Sequence, residues 1–308
     1  METRWLEDFV SLAETRSFSR SAQLRHVSQP AFSRRIQALE AWAGVDLVDR
    51  SSFPTRLTAA GDAFLAQALD ILTGVHGARN ALRGFQAGGQ DVVEFAVPHT
   101  LASTFVPPWL NELRPRLPQL RTRLVALNVH DAAMRLTEGG CDLMIAYHHP
   151  SQPLQLSPER YDMLPLGEEV LAPVSVPDPH VDRSDLPRFA LPSTEGRHPP
   201  LLSFGPGAYM ARLVDHILKS SDESGLEPSH EADMAEALKA MVLQGHGLAF
   251  LPQSLVEREL RSGLLVPASL EPRHRLVMQV RIYRERPEVA RHRKPLAQAL
   301  WALLQSGM

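Results

Sequence analysis

Residues 18–50 read FSRSAQLRHVSQPAFSRRIQALEAWAGVDLVDR, and their pattern predicts two short helices that meet across a tight turn. Ser17 stands before the first of these helices, which runs to about Leu24, and its hydroxyl can cap the free N–H groups. Ser28 offers a second cap, and Pro30 fits the first turn of the helix that follows. The stretch therefore predicts a helix-turn-helix.

The second helix of this pair has a buried side and an outward side. Phe32, Ile36 and Leu39 recur at the spacing of a buried stripe, whereas Arg34 points to the opposite side. Arginine can bond guanine with two hydrogen bonds, and glutamine can bond adenine in the same way, so the outward side suits a DNA major groove. An ordinary solvated helix face is the alternative that spacing alone leaves open. The outward side and its flanks comprise Pro30, Ser33, Arg34, Arg35 and Gln37.

The first 60 residues differ from the rest of the chain in charge. They hold eight arginines against seven acidic residues, although the 308-residue chain carries a net charge of −3, so the remainder is the acidic part. Trp5, Phe9 and Leu12 also predict an amphipathic helix over residues 4–14. The small negative net charge therefore does not argue against a nucleic-acid partner for this first segment.

Residues 18–50 also resemble the winged helix-turn-helix of LysR-type transcriptional regulators, in register and over their whole length. The matching positions are Ser19, Ala22, Leu24, Ser28, Gln29, Pro30, Ala31, Ser33, Ile36, Leu39, Glu40, Gly44, Leu47 and Arg50, followed by Leu57, Thr58 and Gly61.

This resemblance implies double-stranded DNA as a partner, and RNA polymerase as a further one. It implies that Ser28, Gln29, Pro30, Ser33 and Arg34 belong to the recognition helix. It also implies that Arg50 and Arg56 flank a wing that meets phosphates. Among these positions we expect Arg34 to affect sequence choice most. The predicted DNA-binding residues are Ser28, Gln29, Pro30, Ser33, Arg34, Arg35, Gln37, Arg50 and Arg56.

A long helix without proline is predicted from Thr58 to Phe85, before Gly88 and Gly89. Its apolar residues alternate spacings of four and three, which is the pattern of a coiled-coil seam. Pairing with a second chain is the interpretation we favour, and a hairpin within one chain is the alternative. The resemblance implies at least a homodimer, with a homotetramer or higher oligomer as a further expectation. The predicted seam comprises Phe64, Ala68, Ile71, Val75, Ala78, Leu82 and Phe85.

Beyond the glycines, strands alternate with helices, which predicts an α/β architecture. The phrases GGCDLMIAY at 139–147 and MVLQGHGLAFLP at 241–252 resemble the effector domain of the same family, a two-lobed fold similar to periplasmic binding proteins. The chain is thus predicted to be multidomain. The predicted boundaries are 1–58 for the all-α winged helix-turn-helix, 59–89 for the linker helix, 90–160 plus 268–308 for lobe I, and 161–267 for lobe II.

The carboxyl ends of the predicted strands indicate where a ligand would bind, because clefts in open α/β sheets lie there. Hydroxyl groups at Thr100 and Ser103, which we expect at a helix start, suit a carboxylate or another anion. Thr100 could instead only cap its own helix. The candidate effector residues are His99, Thr100, Ser103, Asn128, His148, Ser203 and Phe204.

Within the family, four stretches resemble the hypochlorite-responsive regulators: ETRWLEDF at 2–9, HVSQPAFSRRIQALE at 26–40, YMARLVDHIL at 209–218 and RSGLLV at 261–266. The resemblance implies oxidant sensing through methionine sulfoxide at Met210 or Met234. The alternatives are that these methionines only fill the core, and that the signal is a small carboxylate or aromatic metabolite.

Several other classes of protein fit the sequence poorly. No Walker loop, GxSxG elbow or HExxH motif is present, and Gly205-Pro206-Gly207 and Gly245-His246-Gly247 lack the third glycine of a dinucleotide fingerprint, so we expect no enzyme and no cofactor. A single cysteine, Cys141, permits no disulfide within the chain and no multi-thiolate metal site. The charged N-terminus resembles no signal peptide, which argues against a secreted solute-binding protein, and we expect a cytoplasmic protein without membrane contact.

Overall fold

In a computed structural model of the chain, the described residues are 2–52, 54–87, 92–180, 185–193, 198–206, 208–223, 226, 228–289 and 294–307. They form a helical N-terminal domain, one long helix and a C-terminal α/β domain. This multidomain architecture confirms the predicted fold class.

Three helices and a two-stranded wing build the N-terminal domain. The predicted stripe of Phe32, Ile36 and Leu39 is fully buried, so the phase of the recognition helix is confirmed. The elements are α1 (Thr3–Thr15), α2 (Phe18–Leu24), α3 (Gln29–Ala43), and the antiparallel strands β1 (Val48–Asp49) and β2 (Arg56–Leu57).

The two predicted helix caps differ in outcome. The Ser17 hydroxyl accepts the backbone N–H of Arg20 at 3.4 Å, as expected. Ser28 occupies the cap position of α3, but its side chain accepts no N–H group of that helix. Pro30 lies in the first turn of α3 and has no N–H to satisfy. The hydroxyl of Ser28 is exposed, and its predicted capping role is wrong.

The long helix α4 (Ala59–Ala87) begins in close contact with the N-terminal domain. Thr58 caps it, since the Thr58 hydroxyl accepts the Gly61 N–H at 3.0 Å and donates to the Asp46 carbonyl at 2.8 Å. A Cβ atom at Gly61 would lie 2.0 Å from the Leu47 carbonyl oxygen. Only glycine therefore allows the helix to approach the wing this closely.

The first half of the predicted seam is partly packed against the N-terminal domain and partly exposed. Ala68 and Leu72 are fully buried in the core that α1 and α3 share, and Phe64 packs against Phe9 with ring centroids 5.6 Å apart. The prediction that Ala68 faces a second chain is wrong, because the chain's own domain covers it. Ile71, Val75 and Ala78 are exposed, while the side chains of Leu82 and Phe85 and residues 88–89 lie outside the described part.

The α/β domain contains one sheet in the order β4-β3-β5-β11-β6-β9-β7-β8, with β10 beside β6. Strands β4, β3 and β5 run parallel, as do β9, β7 and β8, and the antiparallel strands β11 and β6 join the two parallel groups. The strands are β3 (Val92–Pro98), β4 (Arg121–Leu127), β5 (Leu143–His148), β6 (Tyr161–Ser175), β7 (Leu201–Phe204), β8 (Pro228–Ala232), β9 (Leu248–Pro252), β10 (Val266–Pro267) and β11 (Leu276–Glu285).

Helices cover both groups of strands and share one hydrophobic core with them. The C-terminal strand β11 and helix α11 return to the first group, where β11 pairs with β5 and α11 lies beside β3. The helices are α5 (His99–Thr104), α6 (Val106–Leu113), α7 (Val129–Thr137), α8 (Tyr209–Ser220), α9 (Ala235–Leu243), α10 (Gln253–Ser262) and α11 (Pro295–Gln305).

Two consecutive helices lie where Thr100 and Ser103 were both expected at one helix start. Helix α5 begins at His99, and α6 begins at Val106, where Pro107 and Pro108 occupy the first turn. Ser103 therefore lies near the end of α5, and its hydroxyl donates to the Thr100 carbonyl at 3.0 Å. The expectation that Ser103 stands at a helix start is wrong, because the two prolines cannot continue a helix begun earlier.

Within the parts of the chain that the structure describes, no helix is both long and apolar enough to span a bilayer.

Candidate functional site

The outward side of α3 presents a polar surface next to the fully buried stripe. Arg34 is exposed, and its Nε lies 3.3 Å from the Pro30 carbonyl oxygen, so the guanidinium stays over the first turn. Ser33 is half-buried on the flank of this surface. The structure thus brings most of the predicted DNA-binding residues to one face. The exposed ones on α3 and before it are Ser28, Gln29, Pro30, Arg34 and Gln37.

Arg35 faces its own domain rather than the outward side. Its Nη1 lies 3.1 Å from Oδ2 of Asp8, and Arg25 donates from Nε to the other oxygen of that carboxylate at 2.9 Å. Asp8 is fully buried in α1, and Arg25 also pairs with Glu7. No spacing in the sequence indicates this group, and it gives Arg35 a structural role that competes with its predicted DNA contact.

A buried carboxylate holds the base of the wing. Oε1 of Glu40 accepts the backbone N–H groups of Leu47 and Val48, each at 3.0 Å, and Oε2 pairs with Nη2 of Arg50 at 2.6 Å. Arg50 is therefore fixed at the start of the wing with part of its side chain exposed. Arg56 is exposed on β2 directly across the wing. Both arginines border the surface that α3 begins.

A cavity of about 490 Å³ lies beyond the carboxyl ends of β3, β4, β5 and β7. His99, Thr100, Asn128 and Phe204 line it, as the topology argument expects. Three other candidate residues do not. They are Ser103; His148, which pairs with Gln279 in the sheet; and Ser203, whose hydroxyl donates to the neighbouring carbonyl.

Both candidate methionines also line this cavity. Met210 is 9% exposed and packs into the core of the α/β domain, whereas Met234 is 43% exposed at the start of α9. Met234 is therefore accessible to a dissolved oxidant and Met210 is largely shielded.

Polar groups of the α/β domain converge on the cavity wall. The Tyr147 hydroxyl is buried, lines the cavity and has no hydrogen-bond partner within the described ranges. Arg212 donates from Nε to Oε1 of Gln152 at 2.8 Å, and its guanidinium lies 5.8 Å from the centre of the Tyr209 ring. The Tyr209 hydroxyl in turn accepts the His149 N–H at 2.9 Å. The hydroxyl of Tyr147 and the oriented guanidinium of Arg212 can both donate hydrogen bonds to a bound group.

The N-terminal domain closes one side of the same cavity. We refer to the contact between α1 and α7, made by Glu14, His130 and Met134, as the interdomain contact. Nδ1 of His130 lies 3.8 Å from Oε2 of Glu14, and Met134 packs into the core of the N-terminal domain. The N-terminal domain contributes Glu14, Thr15, Arg20, Gln23, Leu24 and His26 to the cavity wall. The sequence alone gave no signal for this second wall.

Charge at the interdomain contact alters the protonation of its residues. Burial, together with the nearby carboxylate of Glu138, raises the pKa of Glu14 to about 8. Burial and repulsion from Glu7 raise the pKa of Glu138 to about 7. Burial, together with the charges of Arg20, Arg212 and Arg25, lowers the pKa of His130 to about 4. The interdomain contact therefore favours neutral forms of all three side chains.

Cys141 is buried, and burial raises the pKa of its thiol to about 12. At neutral pH the thiolate is scarce, so the side chain is a poor nucleophile. Among the described residues, no three His, Cys, Asp or Glu side chains come together in a way that could hold a metal ion.

Two family models match the chain. Residues 3–62 match the bacterial regulatory helix-turn-helix protein, lysR family, and residues 86–308 match the LysR substrate binding domain. The two matches fall on the N-terminal domain with the exposed α3 surface and on the α/β domain with the cavity.

Relatives and solved structures agree with these matches over nearly the whole chain. The HTH-type transcriptional regulator YjiE of Escherichia coli K12 is 32% identical over 305 residues, which are 99% of this chain and 94% of that protein. The full-length structure of HypT from Salmonella typhimurium, a hypochlorite-specific LysR-type regulator, is 30% identical with a TM-score of 0.57 and covers 100% of both chains. Vibrio fischeri DarR in complex with DNA is 30% identical with a TM-score of 0.56, over 99% of this chain and 98% of that one. The chain therefore belongs to the LysR family of DNA-binding transcriptional regulators, with an N-terminal helix-turn-helix domain and a C-terminal effector-binding domain.

Proposed function

We propose that this regulator reads an interrupted palindromic operator through the exposed side of α3 and changes transcription when its cavity receives a small-molecule or oxidant signal. The observation that carries the DNA-reading part is the phase of α3, in which a fully buried apolar stripe leaves Arg34 and Gln37 exposed. Such a helix can enter a major groove while its opposite side holds the domain together. RNA polymerase is the partner through which regulation would act, in the cytoplasm.

Replacing Arg34 with alanine should remove operator selection and leave the fold intact, because Arg34 is exposed and supports no core contact. Losing a two-hydrogen-bond contact with guanine should reduce the preference for the operator over a site with one altered base pair by about 10- to 100-fold. The operator is first identified by sequencing genomic fragments that the unaltered protein binds, and affinities are then measured by fluorescence anisotropy.

The matched control for this experiment is Arg258→Ala, which removes an exposed arginine from α10, far along the chain from the helix-turn-helix. The control should keep the full preference. If Arg34→Ala discriminates between the two sites as well as the control does, α3 does not read the operator through this residue.

An exposed apolar stripe supports a homodimer as the DNA-binding form. Trp42 is 53% exposed, Ile71 37% and Val75 45%, and Trp42 lies beside Phe64, whose ring centroid is 6.3 Å away. Phe64, Ile71 and Val75 lie on one side of α4, since seven and eleven residues are close to whole helical turns. Pairing two such stripes would place two recognition helices on two half-sites. Two such dimers could form the tetramer that the sequence analysis expects.

Introducing Asp at both Ile71 and Val75 should convert the dimer to monomers. Burying two carboxylates without partners costs more free energy than burying the apolar stripe contributes to pairing. Multi-angle light scattering gives the mass directly. Ala63→Asp with Ala66→Asp adds the same charge at exposed positions elsewhere on α4 and should leave the dimer intact. A dimer that survives the first pair of substitutions would rule out this stripe as the interface.

Two signals fit the cavity. Oxidation of Met234 would turn an apolar part of the wall polar, and the similarity to a hypochlorite-specific regulator at 30% identity supports this possibility. The polar groups of Tyr147 and Arg212 favour a metabolite with a carboxylate. In both cases the signal would act in a cavity that both domains line.

A further inference from the structure

The wall of the cavity combines positive charge from both domains. Arg20 comes from α2 of the DNA-binding domain, and Arg212 comes from α8 of the effector domain. The charge of Arg20 lowers the pKa of Arg212, and both arginines lower the pKa of His130, after the larger effect of burial in each case. The two guanidinium groups therefore act on the same region of the cavity. A small anion there would be attracted by both guanidinium groups.

Neutral groups next to this region can complete an anion site. The buried Tyr147 hydroxyl has no partner in the described part of the chain and lines the cavity. Gln152 and the Tyr209 ring hold the Arg212 guanidinium in place. An oriented guanidinium and a free hydroxyl donor suit the planar oxygens of a carboxylate.

The other residues of the cavity wall determine which uncharged part and which net charge of a ligand fit. Leu127, Val129, Leu154 and Phe204 offer an apolar surface, and a volume of about 490 Å³ is in the range of small-molecule sites. Asp131 and Asp233 also line the cavity, which keeps the net charge of the wall small and disfavours ligands with two negative charges. An aromatic or aliphatic monocarboxylate meets all of these conditions.

We propose that the cavity binds such a monocarboxylate with its charged group between Arg20 and Arg212, so that the DNA-binding domain itself forms part of the effector site. This inference rests on the proposed effector function of the cavity, for which a carboxylate is already one of the two signals, and adds the contribution of the DNA-binding domain. A ligand held by both domains stabilises the interdomain contact, and by reciprocity the contact raises the affinity for the ligand. The position of the DNA-binding domain thus becomes directly dependent on the effector.

The test uses the full chain, with benzoate and hexanoate as probes and benzamide as the neutral counterpart of benzoate. Isothermal titration calorimetry should detect binding of at least one of the two carboxylates and at least tenfold weaker binding of benzamide. Arg212→Gln and Arg20→Gln should each weaken carboxylate binding by about 10- to 100-fold, the usual effect of losing a hydrogen bond to a charged group. The control Arg258→Gln should bind as the unaltered chain does, and thermal unfolding verifies that each variant is folded.

Two results would overturn the inference. If Arg212→Gln loses binding while Arg20→Gln keeps it, the DNA-binding domain is not part of the site, although the effector function of the cavity stands. If neither carboxylate binds to the unaltered chain, the ligand class is wrong. The Arg34→Ala experiment tests DNA reading separately, so a failure of either proposal can be distinguished from a failure of the other.

Discussion

Replacing Asp8 with alanine is expected to destabilise the DNA-binding domain by about 3–5 kcal/mol, because it removes one partner from a buried ionic group. The Asp8 carboxylate is fully buried and pairs with Arg25 at 2.9 Å and with Arg35 at 3.1 Å. Without it, two partly buried guanidinium groups lose the carboxylate that they share, although Arg25 keeps its pair with Glu7. Since the domain is small, this loss is a large fraction of its stability.

Hydrogen exchange followed by mass spectrometry separates this effect from changes in the α/β domain. Peptides from residues 3–43 should exchange about 100-fold faster or more in Asp8→Ala, whereas peptides from β3 and β5 should be unchanged. Glu2→Ala removes a carboxylate from an exposed pair with Arg4 just before the same helix and should have little effect. If Asp8→Ala exchanges as Glu2→Ala does, the buried group contributes little to the fold.

The recognition helix could be predicted in detail from the sequence because its constraints are local. The spacing of Phe32, Ile36 and Leu39 determines which side is buried, and the structure buries that side fully. The same spacing assigned Arg35 to the flank of the outward surface, where the structure instead pairs it with Asp8, a residue 27 positions earlier. A helical pattern specifies a direction, but it does not specify which long-range partner a flexible guanidinium will find.

Glu40 illustrates a different limit. The family resemblance marked it as a matching position, but the sequence did not indicate what its carboxylate does. In the structure it accepts two backbone N–H groups at the base of the wing and pairs with Arg50. Those N–H groups belong to an irregular segment whose path depends on the fold, so no periodic pattern could predict the contact.

The seam of α4 shows how a local pattern can have two partners. Spacings of four and three describe a coiled coil, yet a helix with 3.6 residues per turn can use the same positions to pack against its own domain. The structure turns Ala68 and Leu72 inward toward α1 and leaves Ile71 and Val75 exposed. The identity of the partner depends on where α4 begins, and Gly61 sets that position by allowing close contact with Leu47.

Strand order allowed part of the cavity to be predicted, since the ends of parallel strands meet at one edge of a sheet. His99, Thr100, Asn128 and Phe204 were found in this way. The wall that contains Arg20 could not be predicted, because the docking of one domain on another leaves no periodic signal in either.

Raising the pH from 6.5 to 8 should weaken the interdomain contact, and the direction follows from the pKa values of Glu14 and Glu138. In the contact these values are about 8 and about 7, against 4.5 for an ordinary glutamate, so the contact takes up protons when it forms. The stabilisation of the contact by the protonated forms of these two glutamates is complete below pH 4.5. It is lost as the pH rises through 7 and 8. Over this interval the equilibrium constant for contact formation should fall on the order of 50-fold.

Other charged groups at the contact do not reverse this direction. His130 has a pKa of about 4 in the contact against 6.5 outside it, so it opposes contact formation only below about pH 6.5. Arg25, whose pKa is raised, keeps its charge throughout this range, and Tyr161, beside Glu14, has its pKa raised by burial and stays neutral. Between pH 6.5 and 8 the two glutamates therefore dominate.

Small-angle X-ray scattering of the full chain measures this opening as an increase in the radius of gyration between pH 6.5 and 8. The matched control is the double variant Glu14→Gln and Glu138→Gln, whose amides are neutral at every pH, as the protonated carboxyl groups are in the contact. Its radius of gyration should be independent of pH and equal to the compact value. An unchanged radius in the unaltered chain would contradict the prediction, and an equal increase in both proteins would assign the opening to other groups. Because Glu14 also lines the cavity, the same titration should reduce affinity for any ligand that requires both walls.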